Sequence, residues 1–97
     1  MALIIATAKF QNSQVGVTNA YVRLQFTALA NGTEIMAVLT AYENKQKFVE
    51  NKPLFLQIPG NLRVVCSANQ QQDLTTTHEL CKQALEEMGY SVTIDLA

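Results

Sequence analysis

Residues 19–42 read NAYVRLQFTALANGTEIMAVLTAY, and this stretch decides the fold. Two apolar-rich runs, 21–30 and 34–42, flank Asn31-Gly32, the strongest short-range signal for a β-hairpin. In the first run Val22, Leu24, Phe26 and Ala28 alternate with Tyr21, Arg23, Gln25 and Thr27, which gives one apolar and one mostly polar face. In the second run Ile35, Ala37, Leu39 and Ala41 alternate with Met36, Val38 and Thr40, so both faces are largely apolar. Such a strand belongs inside a sheet, and its second face asks for a cover. A 97-residue chain with one clear helix has little to cover it with, so burial against another subunit is the expected solution.

Outward from the hairpin, the remaining segments follow the same two periods. Residues 3–10 (LIIATAKF) are rich in β-branched types and form a first strand, and Gln11, Asn12 and Ser13 a loop. Gly16 and Asn19 punctuate the approach to the second strand. Residues 43–52 (ENKQKFVENK) lose the alternation and predict a short helical turn or irregular bridge, anchored by Phe48 and Val49 and ended by Pro53. Residues 54–58 (LFLQI) read as a fourth strand, stopped by Pro59-Gly60. A fifth strand spans 62–68, with Leu62, Val64 and Cys66 facing one way and Arg63, Val65 and Ser67 the other. A helix follows over about 76–88. Thr76 and Glu79 have capping-box spacing, with Thr75 and Asp73 as alternative caps. Leu80, Cys81, Ala84, Leu85 and Met88 make its apolar stripe, and Gly89 ends it. Residues 90–96 alternate again and form a last strand, parallel to the fifth if a right-handed crossover returns it to the same sheet.

The sum is a single β-rich domain, residues 1–97, of the α+β class: a mainly antiparallel sheet of five or six strands with one C-terminal helix. Charged residues make up only 15% of the chain, below the usual quarter, so part of the surface is apolar or neutral and suited to being covered. The net charge of −1 offers no electrostatic footprint for nucleic acid or an anionic membrane. The longest apolar run, 3–6, is far too short to cross a bilayer, and the expectation is a soluble protein made in the cytoplasm.

Little in the sequence points to chemistry. His78 with Cys66 and Cys81 lacks paired-ligand spacing and a fourth ligand, so no metal and no other cofactor is expected. The bland reading makes both cysteines small buried residues and His78 a solvated residue of the first helical turn. A Cys81 nucleophile would need His78 as an oriented base, yet the two are one turn apart on the same helix. No phosphate-binding loop or hydrolase motif occurs, and neither a catalytic residue nor a small-molecule substrate is expected. Asn31-Gly32-Thr33 matches the glycosylation sequon but is read as turn chemistry. Tyr21, Arg23 and Gln25 have the look of an interface-filling sheet face, where Tyr and Arg are enriched.

The apolar start MALIIATAKF, the run from Gly16 to Arg23 (GVTNAYVR), the hairpin, then AYENK from Ala41, Phe48 and Asn51-Lys-Pro-Leu resemble small proteins encoded among the virion structural genes of tailed bacteriophages. The similarity covers mainly residues 1–54, and the strand after the helix departs from the pattern. It implies a repeated structural subunit of a particle, in the tail or baseplate, assembled as a homo-oligomer and with other virion proteins. A capsid decoration protein and a small non-virion module binding a host protein are the alternatives. The expected interface residues are Leu3, Ile4, Ile5, Tyr21, Arg23, Gln25, Met36 and Val38, with the N-terminal strand 3–6 among them.

Overall fold

In the computed structural model, which describes residues 1–10 and 14–96, one antiparallel sheet carries the chain. Its strands are β1 (Ala2–Lys9), β2 (Gly16–Ala28), β3 (Glu34–Tyr42), β4 (Asn61–Val65) and β5 (Val92–Asp95), in the order β4-β3-β2-β1-β5. A short helix α1 (Lys45–Val49) follows β3, and a long helix α2 (Leu74–Glu87) joins β4 to β5 after a 3-10 turn at Gln70–Gln72. The fold is therefore α+β, with five strands and one main C-terminal helix. Every neighbouring pair is antiparallel, so four reversals separate β4 from β5 and the two edge strands run the same way. The last strand is thus parallel to the strand before the helix, but with three strands between them.

The hairpin forms, with Tyr21 opposite Tyr42 and Ala28 opposite Ile35. Its turn is wider than Asn31-Gly32 implies. Strand pairing ends at Ala28, the Gly32 amide donates to the Leu29 carbonyl at 3.1 Å, and of the two turn residues only Gly32 has positive φ. Asn31 instead uses its side chain, accepting from the Thr33 amide and donating to Glu34. At the other end β2 begins at Gly16, earlier than expected, and takes in Asn19 at φ 54 opposite Ala6. This kink breaks the regular alternation, so Ile5 and Ala8, an odd number of residues apart, both reach the core. The loop expected at Gln11, Asn12 and Ser13 lies outside the described residues.

Residues 54–58 do not form a regular strand. Leu54 bridges Ala41 of β3 and Leu56 bridges Phe10 beyond β1, each by an isolated pair. Pro53 and Pro59 bound the segment, and proline lacks the amide that a longer ladder needs. The Leu54 amide donates to Ala41 at 2.8 Å and the Gln57 amide to Lys9 at 2.7 Å. Two residues of chain therefore connect the strands on either side of β2, and the sheet curls to let them. Leu54, Leu56 and Ile58 all pack into the core from this strap.

Helix α2 starts at Asp73, whose carboxylate accepts from the amides of Thr75 and Thr76, so Asp73 is the cap and no capping box forms with Thr76. Hydrogen bonds from Thr76 hold the Asp73 carboxyl below its ordinary value. The helix ends at Met88, followed by Gly89 at φ 100, a conformation that side chains with a Cβ rarely adopt. Cys81 and Leu85 are fully buried against Leu3, Ile5, Val22, Ala37, Leu62 and Val92. Full burial of one such leucine contributes about 1.5–3 kcal/mol. Met88, expected on the apolar stripe, is exposed because it lies just past the end of α2.

Candidate functional site

The two faces of the sheet are unequally covered. Val22, Leu24, Phe26, Ala37, Leu39, Ala41, Leu62 and Val64 point toward α2 and the strap. Their neighbours in sequence point the other way. On that second face the paired residues form rows across the sheet: Ile4, Tyr21 and Tyr42; Arg23 and Thr40; Gln25, Val38 and Asn61; Thr27, Met36 and Arg63.

Helix α1 caps only one corner of it. Asn44 accepts from the Lys47 amide at 2.9 Å and sets the helix, which turns Phe48 onto the sheet. The Phe48 ring lies 5.3 Å from Tyr42, edge to face, and 5.8 Å from Tyr21. The Arg23 guanidinium sits over Phe48 at 4.4 Å and donates to the Met1 carbonyl at 3.0 Å. Ala2 and Ile4 complete this cluster. Val49, expected as a second anchor, is exposed, because α1 is a single turn and too short to bury both of its apolar residues. Beyond the corner, Gln25, Thr27 and Val38 are exposed and Met36 and Thr40 half-buried. Val65 on the edge strand β4 is 75% exposed. Arg63 donates to both carboxylate oxygens of Glu34, at 2.8 and 3.3 Å, and this pair holds the Glu34 carboxyl below its ordinary value.

Six of the eight expected interface residues, Ile4, Tyr21, Arg23, Gln25, Met36 and Val38, share this face. Leu3 and Ile5 do not, since they point under α2 and are fully buried. The N-terminal strand is not an edge, because β5 pairs along Ala2–Ile5 and leaves its backbone satisfied. Tyr21 is on the right face but buried beneath Phe48, so it shapes the surface from below. Thr27, Arg63 and Val65 belong to the same face and were signalled by the alternation of β2 and β4. Phe55, the most exposed of the large apolar side chains at 77%, stands outward between the inward Leu54 and Leu56.

His78 is not solvated, as its position in the helix had implied, but almost fully buried, with its ring 5.1 Å from Phe26. Thr77 is buried beside it, so the inner face of α2 runs Thr77, His78, Cys81, Leu85. Neither Cys66 nor Cys81 is in a disulfide, and both are buried. Burial pushes the Cys81 thiol up to about 12, away from the thiolate that nucleophilic chemistry uses. Among the described residues no three His, Cys, Asp or Glu side chains converge as a metal site. The hollows are open: one of about 480 Å³ lies between α2 and β5 and is lined by Glu79, Lys82, Gln83, Thr93 and Ile94.

No protein-family model matches the chain, and neither a curated protein nor a solved structure matches it significantly. Among the described residues no helix is long and apolar enough to cross a membrane.

Proposed function

We propose that this chain is a structural subunit of a tailed-phage particle, in the tail or baseplate, which assembles through the uncovered face of its sheet. One observation carries the reading: Gln25, Thr27, Met36, Val38 and Val65 form an uncharged, partly apolar patch, bordered by the Arg63–Glu34 ion pair, backed by the core and left uncovered by the described residues. Such a face buries well against a copy of itself or a neighbouring protein. The segments that resemble virion proteins bear on the same region. Tyr21 and Arg23 come from the Gly16–Arg23 run, Tyr42 from the AYENK run, and with Phe48 they meet in the corner beside that face.

Quantitative mass spectrometry of purified particles tests the proposal, with many copies per particle expected. Complete absence from particles sinks it, and capture of one host protein by a strictly monomeric chain replaces it with a binding module. Cryo-electron microscopy of the particle then separates a tail or baseplate position from decoration of the capsid.

A further inference from the structure

His78 is the chain's one histidine, and its setting suits only the neutral imidazole. Nδ1 lies 2.8 Å from the Leu74 carbonyl oxygen, which only accepts, so Nδ1 carries the proton and Nε2 the lone pair. Nε2 is buried and has no hydrogen-bond partner. The ring centroid lies 5.1 Å from that of Phe26 of β2, in an edge-to-face arrangement that offers Nε2 no acceptor.

The surrounding charges do not compensate. Burial is the main cause that lowers the affinity of His78 for a proton; it outweighs the Leu74 hydrogen bond, which raises that affinity, and the Arg23 guanidinium acts in the same direction as burial. The elements packed against α2 include β1, β4, β5 and the 3-10 turn. Their charged side chains are Lys9, Arg63 and Asp95, and the last two point to the opposite face of the sheet. On α2 itself Glu79 is exposed and Cys81 neutral.

We propose that His78 makes the docking of α2 proton-sensitive, so that mild acid loosens the first turns of the helix from Phe26. A second proton at Nε2 would place a cation and an unsatisfied donor in the core. The sign follows from linkage. Above the ordinary imidazole value of about 6.5 the ring is neutral folded and unfolded, and stability is unaffected. Below it the unfolded chain takes the proton first, so the folding constant falls by up to about tenfold per pH unit until the folded-state value is reached.

The test is urea denaturation of the full chain and of His78→Phe at about pH 7.5, 6.5 and 5.5. Amide exchange of α2 is measured in the same samples relative to β2, a ratio that cancels the intrinsic pH dependence of exchange. The expected result is a loss of folding constant of at most about fivefold between the two lower values, with a rise in the α2 to β2 ratio, both absent in His78→Phe. A flat wild type, or the same slope in the variant, overturns the proposal. Should His78→Phe not fold, the imidazole resonances of the wild type decide: titration below about 6.5 supports the proposal, and titration at or above it overturns it.

Discussion

The same five strands present two faces, and comparing them shows how coverage sorts residues of similar type. Ala37 and Leu39 are buried on the face under α2 and the strap, whereas Val38 between them is 44% exposed on the other. Both faces of β3 are apolar in sequence, yet only one is covered along its length, the other only at Tyr42 under Phe48. The covered face explains stability, and the open one is where a partner has room to act.

Leu85→Ala strikes the covered face hardest. It removes a fully buried side chain from the contact between α2 and the sheet, and a loss of about 2–5 kcal/mol is expected from urea denaturation. Phe48→Ala attacks the one covered corner of the open face. Its ring is half-buried, so about 2 kcal/mol is expected, with Tyr21 and Tyr42 becoming more accessible to quenchers of tyrosine fluorescence. Gly89→Ala forces a Cβ into φ 100 at the end of α2 and costs about 1 kcal/mol, read as a lower thermal midpoint. Val38→Asn on the open face changes the stability of the isolated chain by no more than about 0.5 kcal/mol. Under the proposed function, the expected outcome is weaker self-association in sedimentation or lower incorporation into particles. A large stability loss from Val38→Asn would break the contrast between the faces.

A further effect concerns the start of α2. Asp73→Ala lowers helicity by circular dichroism, because two amides lose their acceptor. The Asp73 carboxyl is held below its ordinary value, so its contribution is present above about pH 4 and is lost as pH falls through the folded-state value. The difference between variant and wild type accordingly narrows as the pH falls below the ordinary carboxylate range.

Much of this architecture is legible because period and burial coincide. The alternation of residues 21–28, 34–42 and 62–66 fixes which side chains face α2, and the stripe from Cys81 to Leu85 fixes the helix face turned toward them. The open face follows from the same alternation, which is why Arg23, Gln25, Met36 and Val38 fall together. What was not legible depends on long-range pairing. Leu3 and Ile5 read as interface residues because nothing local says that α2 will cover their face or that residues 92–95 will pair with their strand. LFLQI has strand composition, but its backbone finds partners at only two points. His78 is polar by type and buried by position: it lies three residues before Cys81 and seven before Leu85, a spacing that would have placed it on the inner face.

The strap has a consequence for the order of folding. Leu54 and Leu56 bind the outer sides of β3 and β1, and those sides acquire their spacing only after β2 has joined both strands. The strap therefore closes late, over a sheet that already exists. Leu56→Ala should leave the refolding rate nearly unchanged and speed unfolding, the signature of contacts made after the rate-limiting barrier. In that view residues 54–57 act as a clasp: they set how long the native state lasts more than how quickly it is reached.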